Sequence, residues 1–264
     1  MKNPTLLAES FSLEVKLSYA SNPFSPPPIL EMLSMDTSWV VRRRVASNPS
    51  TPQSTQLLLA KDPYPEVRSE LALNPNLAPS IAKLLLGDAE PLVRIALARN
   101  PRVEADLLLP LTRDPLPQVR EALASREPLS SLLAHNLAQD ASMTVLLRLL
   151  KNRTCPPQIA GEILLGRFKE EVAVEVVEMT KPLPIATQLL LVEQGGLLLR
   201  SHLARAPWID ESVWLKLRED PDPFVREMAK QNIAYATPTD PTPTDSTDIG
   251  ASNDLGGRLP GSND

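Results

Sequence analysis

A chain of 264 residues with 42% hydrophobic side chains is long enough to bury a core, but at 4% aromatic content that core must come from Leu, Val, Ala and Ile. The single cysteine, Cys155, excludes an internal disulfide and any all-cysteine metal site within one chain, which fits a reducing compartment. Of the net charge of −5, the last 29 residues carry −4 (Asp240, Asp245, Asp248, Asp254 and Asp264 against Arg258), so the body is nearly neutral and exerts no general pull on nucleic acid or acidic membranes.

At the N-terminus, Glu9 and Glu14 interrupt any apolar run, so no signal peptide is read there. No stretch approaches the ~20 apolar residues of a membrane span, and a cytoplasmic protein is expected. The first predicted unit opens at Ser10 and carries Val15-Lys16, Ala20, Asn22-Pro23 and Leu33. Twenty-six residues on, the same order returns from Asp36, with Val41-Arg42, Ala46, Asn48-Pro49 and Leu59. It returns from Asp62 (Val67-Arg68, Ala72, Asn74-Pro75, Leu85) and from Asp88 (Val93-Arg94, Ala98, Asn100-Pro101, Leu111). The unit from Asp114 keeps Val119-Arg120, Ala124 and Leu137, with Glu127-Pro128 as a displaced echo of Asn-Pro. In the unit from Asp140, Leu146 stands in the Arg column, followed by Cys155-Pro156 and Ile163. Repetition at a fixed period of roughly 20 to 50 residues marks a stacked array.

Within a unit, Val67 and Leu71 lie four apart, which predicts a short helix over about 65–73. Asp62, just ahead, is placed to cap its N-terminus, and Asn74 ends it because the residue before Pro75 is pushed out of the α region. A second short helix is predicted over 79–85, with Ile81 and Leu85 on its inner face. The Ala column lets neighbouring helices approach closely. The seventh unit, from near Arg167, lacks the Arg and is rich in Glu around 168–173. The stretch 140–193 is therefore degenerate and reads as a hinge, a bend or a specialised surface. Units resume at Gln194 (Leu199-Arg200, Ala204, Leu217) and at Asp220 (Val225-Arg226), the last ending near Tyr235. Residues 1–235 thus form one repeat domain of eight and a half units. Residues 236–264, rich in Thr, Pro, Asp and Gly, are predicted to be a disordered acidic tail.

The run Lys61-Asp62-Pro63-Tyr64-Pro65-Glu66-Val67-Arg68-Ser69-Glu70-Leu71-Ala72-Leu73-Asn74-Pro75 resembles the leucine-rich repeat variant family, a relative of HEAT repeats. The resemblance spans about residues 10–235 and is most specific over 36–125. It implies an all-α fold, a right-handed α-solenoid (superhelix) of two-helix repeats, some second helices being 3₁₀ in character. The family's prototype carries an iron–sulfur cluster on clustered cysteines; with Cys155 alone, that cofactor is not carried over and none is expected. HEAT-type repeats also place Asp and Arg six residues apart as a ladder between units. Asp36 and Arg42, Asp62 and Arg68, Asp88 and Arg94, Asp114 and Arg120, and Asp220 and Arg226 share that spacing, with departures at Ser10, Leu146 and Gln194.

The Arg column allows two readings: a basic stripe for phosphates or an acidic partner, or inter-repeat struts, favoured because Arg42, Arg68, Arg94 and Arg120 each follow a Val and stand six residues after an Asp. Arg42-Arg43-Arg44, after Trp39, is the densest basic cluster, a pairing that nucleic-acid binders use. With Arg42 in the column, Arg43 and Arg44 remain as a basic patch, read as a solvated face. His135 and His202 lie 67 residues apart, neither with a partner at metal-ligand spacing, so no metal site is named. No nucleophile has a base that the sequence can place beside it, and no catalytic residue is named. Gly195-Gly196 reads as a turn, Trp208 and Trp214 as a cap on the core, and the Asn column as turn residues. The expected function is a non-catalytic scaffold that binds a protein or peptide on its second-helix surface. Candidate contacts are Gln53, Gln56, Ser80, Lys83, Glu104, Asp106, Ser131 and His135. Two alternatives stand beside it: a HEAT-like DNA-binding protein or DNA glycosylase, and a HEAT-like lyase or chaperone subunit for a protein-bound cofactor.

Overall fold

A computed structural model describes residues 11–166, 183–232 and 234–235. Every secondary-structure element among them is a helix. The first helices of successive units are Leu13–Ser21, Trp39–Ser47, Pro65–Ala72, Pro91–Arg99, Pro117–Ala124, Met143–Lys151, Leu197–Arg205 and Pro223–Lys230. The second helices are Pro27–Leu33, Gln53–Leu59, Pro79–Leu85, Asp106–Arg113, Ser131–Leu137, Pro157–Leu165, Ile185–Gln194 and Glu211–Arg218. Ser10, the Glu-rich segment at 168–173 and the predicted acidic tail lie outside the described residues.

The helices are short because their boundaries are written into the sequence. Pro opens the helices at Pro65, Pro79, Pro91, Pro117, Pro157 and Pro223, where its missing N–H has no intrahelical partner to lose. Asn22, Asn48 and Asn100 close first helices in extended backbone, each held out of the α region by the Pro that follows. One expectation changes. Asp62 does not cap the helix Pro65–Ala72: its Oδ1 accepts the N–H of Tyr64, the residue before that helix, at 3.0 Å. With Pro at the first helical position there is one fewer orphan N–H to cap, and the carboxylate turns instead toward the preceding unit.

The first helices pack in series from Leu13–Ser21 as far as the contact of Pro117–Ala124 with Met143–Lys151, and Leu197–Arg205 packs against Pro223–Lys230. The Ala column sits in these contacts, with Ala20, Ala46, Ala72, Ala98, Ala124 and Ala204 fully buried. Val41, Val67, Val93 and Val119 from the first helices meet Leu33, Leu59, Leu85, Leu111 and Leu137 from the second in one continuous core. The early second helices, Pro27–Leu33, Gln53–Leu59 and Pro79–Leu85, do not pack closely on one another. Asp106–Arg113 is a 3₁₀ helix, and Pro110 inside it cannot donate to a carbonyl one turn back. At the C-terminal end the Trp214 ring stacks on Tyr235 at 4.6 Å and its Nε1–H donates to Ala229 O at 2.7 Å. No helix among the described residues is long and apolar enough to cross a membrane.

Candidate functional site

The charged columns meet each other. Lys16 Nζ lies 2.7 Å from Asp36 Oδ2. Arg42 grips Asp62 through Nε (2.6 Å) and Nη2 (3.1 Å), and Arg68 grips Asp88 at 2.7 and 2.9 Å. Arg94 holds Asp114 (2.6 and 3.2 Å), Arg120 holds Asp140 (2.7 and 3.0 Å), and Arg200 holds Asp220 (2.8 and 3.3 Å). The carboxylate in each rung belongs to the following unit. For Arg42, Arg68, Arg94 and Arg120 the Asp six residues earlier supplies its backbone carbonyl instead, as when Arg68 Nη1 donates to Asp62 O at 2.7 Å, whereas Arg200 Nη1 donates to Gly195 O. Hydrogen bonds to the carboxylates raise the pKa of Arg42, Arg68, Arg94 and Arg120 above its ordinary value, although burial pulls the other way. Arg226 closes the series by donating to Asp220 O and Pro221 O.

A second ladder runs through the turns. Asn74 Nδ2 donates to Ala46 O (2.7 Å) and Asn48 O (2.8 Å), while its Oδ1 accepts from Asn76 N (2.8 Å). Asn48, Asn100, Asn152 and Asn232 repeat the same pair of donations to the preceding unit. These amides satisfy buried carbonyls left over at helix C-termini, which otherwise carry a desolvation cost. In the unit from Asp114 the place of Asn is taken by Arg126, whose Nη1 donates to Ala98 O (2.8 Å) and Asn100 O (2.6 Å).

With these residues committed to stacking, Arg42, Arg68, Arg94, Arg120 and Arg200 are each held by an aspartate, and no open row of guanidinium groups forms from them. The basic patch is also divided: Arg43 binds Glu70 of the next unit through Nε (2.9 Å) and Nη2, whereas Arg44 is exposed in the last turn of its helix. Trp39 stacks on Tyr64 at 5.9 Å, and the Arg42 guanidinium lies over the same Tyr64 ring at 5.4 Å.

What remains exposed differs from unit to unit. Between Gln53–Leu59 and Pro79–Leu85 lies a groove of about 520 Å³ lined by Gln53, Ser54, Leu57, Ser80, Ile81 and Leu84. Gln53 Nε2 donates to Ser80 Oγ across it at 3.0 Å, so two of the expected contact residues come together here. Leu57 and Leu84, which line it, are 43% and 53% exposed, an apolar pair that the polar candidate set left out. Leu57 stands at the place where the next unit carries Lys83 and a later one His135, Leu84 stands one place on, and that register was the available signal.

Lys83 is exposed on the same helix as Ser80. Gln56 has to be withdrawn as a contact residue. It is 2% exposed, its Nε2 donating to Thr51 O (3.1 Å) and Asn76 O (3.0 Å) and its Oε1 accepting from Ala78 N (2.9 Å). A side-chain amide can satisfy turn groups of two units at once, and Gln188 does the same with Leu183 O and Asp210 N. Glu104, Asp106, Ser131 and His135 are exposed but belong to later units and do not line the groove. Among the described residues no three His, Cys, Asp or Glu side chains converge as a metal site. Compared with models of protein families and with curated proteins, the chain matches none.

Proposed function

We propose that this chain is a non-catalytic scaffold that binds an amphipathic segment of a protein partner in the groove between Gln53–Leu59 and Pro79–Leu85. The observation that carries the reading is the pair of exposed leucines, Leu57 and Leu84, that line the groove beside the Gln53–Ser80 hydrogen bond. Apolar side chains of a partner would be desolvated against the leucines, with backbone or side-chain polar groups meeting the Gln and Ser at the rim. A protein is favoured over a polyanion because the column arginines are held by aspartates and Arg43 by Glu70. The same reading makes the repeat stack a right-handed α-solenoid of the leucine-rich repeat variant kind, working in the cytoplasm. Helix-on-helix packing between successive units and the 26-residue period support it.

Affinity capture with the full-length protein and with a Leu57→Asp, Leu84→Asp double variant tests the groove. The expected result is a protein retained by the wild type and lost from the variant, whose fold is unchanged because both positions face solvent. Identical captures from the two proteins would overturn the assignment.

A further inference from the structure

Arg126 departs from the logic of the column it occupies. Asn48, Asn74, Asn100 and Asn152 make the two inter-unit bonds of the turn ladder with an uncharged amide, so stacking does not require a cation there. Arg126 makes the same two bonds through Nη1 and a third from Nη2 to Val103 O at 2.9 Å. Three of its five N–H groups are then used. Nε–H and one N–H of Nη2 have no acceptor among the described residues, and no carboxylate there forms an ion pair with it. The residue is only 9% exposed. Burial lowers its pKa from the ordinary value with no carboxylate to offset the cost, and a guanidinium remains charged regardless.

A cavity of about 550 Å³ adjoins this side chain, and Arg99 and Arg102 stand at its border with Arg126. Val103, Pro128 and Leu129 supply apolar wall. Glu104 and Glu127 also border it, both exposed, which leaves the lining one positive charge in excess. The molecule itself shows what the free N–H groups of Arg126 are suited to donate to. In every arginine rung, Nε and Nη2 are the pair that holds a carboxylate, at 2.6–3.3 Å.

We propose that this cavity binds a singly charged organic carboxylate with an apolar body, gripped by Nε and Nη2 of Arg126 and drawn in by Arg99 and Arg102. The carboxylate supplies the counter-charge that the buried guanidinium lacks, and Val103, Pro128 and Leu129 cover the hydrocarbon part. The site is separate from the Gln53–Ser80 groove and stands or falls independently of it.

Calorimetric titration of the full-length protein tests the proposal with hexanoate, hexanamide, inorganic phosphate, and a leucine-terminated tripeptide with a free or an amidated C-terminus. Saturable binding is expected for a carboxylate and not for its amide. Equal binding of hexanoate and the free-acid peptide identifies a free organic acid as sufficient, whereas binding of the peptide alone identifies a polypeptide C-terminus; either upholds the site. Arg126→Asn restores the residue type of the column, keeps the two backbone bonds, and should weaken carboxylate binding by roughly tenfold or more. Arg102→Gln, at an exposed position that cannot disturb the fold, should weaken it by a few-fold. Preference for phosphate, absence of saturable binding, or wild-type affinity in both variants would overturn the proposal.

Discussion

Asp88 sits under opposed influences, and their balance decides how its rung behaves. Burial raises its pKa; the hydrogen bond from Arg68, the N–H of Glu90 and the charges of Arg68 and Arg94 lower it, and the lowering wins. A carboxylate whose pKa is depressed on folding stabilises in full above its unfolded value, and that contribution is lost as pH falls through the folded one. Asp88→Asn keeps an acceptor for Glu90 N–H but leaves Arg68 facing a neutral amide, at an expected cost of about 3 kcal/mol at neutral pH. In urea titrations, the gap between wild type and variant should hold from pH 7 down to about 5 and shrink below about pH 4. A gap undiminished at pH 3 would show that the rung does not work through charge. The turn ladder makes a different demand, because Asn74 is fully buried and satisfies two carbonyls and one N–H. Asn74→Ala should cost about 3 kcal/mol from those orphaned groups. Asn74→Asp should cost more, since a carboxylate would face two carbonyl oxygens. A loss under about 1 kcal/mol in either variant would mean that water replaces the amide.

At the scale of single helices, Pro223–Lys230, the last among the described residues, shows how a helix is held to the stack. Pro223–Lys230 packs on Leu197–Arg205 and Glu211–Arg218, and Trp214 ties it down through its stack on Tyr235 and its bond to Ala229 O. Trp214→Phe keeps a ring for the stack and loses the hydrogen bond, and should cost about 1 kcal/mol. Trp214→Ala removes both and should cost about 3–5 kcal/mol. Hydrogen exchange followed by mass spectrometry should show the added exchange confined to helices Glu211–Arg218 and Pro223–Lys230, with Pro65–Ala72 unchanged. Element boundaries were legible in the sequence because Pro and Asn-Pro act locally: the helix predicted over 79–85 is found as Pro79–Leu85. The 3₁₀ form of Asp106–Arg113 had a local sign in Pro110. The cap assigned to Asp62 failed because its carboxylate responds to Arg42, twenty residues away in another unit.

Across the whole molecule the same division recurs. The period of 26 residues made the repeat readable, since stacking demands the same residue at the same place in each unit. Contacts between units were harder to read. Asn74 reaches carbonyls 26 and 28 residues back, and Gln56 is buried by turn groups of the following unit, whereas its polar type alone argues for the surface. The Asn-Pro column leads to Glu127-Pro128, one residue past Arg126, and only the geometry shows Arg126 in the place of Asn, buried without a carboxylate. Stability in such an array is set by each unit and its interfaces with immediate neighbours, and here the charged ladder has a gap. Leu146 occupies the Arg column, so the rungs from Lys16 to Asp140 are not continued at that position. Cys155 lies just beyond the gap, 5% exposed, with burial pushing its thiol pKa up to about 11. Reaction with a thiol reagent at mildly alkaline pH therefore requires local opening, which exposes a normal thiol. If units open with their neighbours only, a mutation at the Arg68–Asp88 rung should lower the global urea midpoint yet leave the native-state labelling rate of Cys155 within about twofold of wild type. A rate that rises by the full factor of the global destabilisation would mean that the stack opens as one cooperative body despite the gap at Leu146.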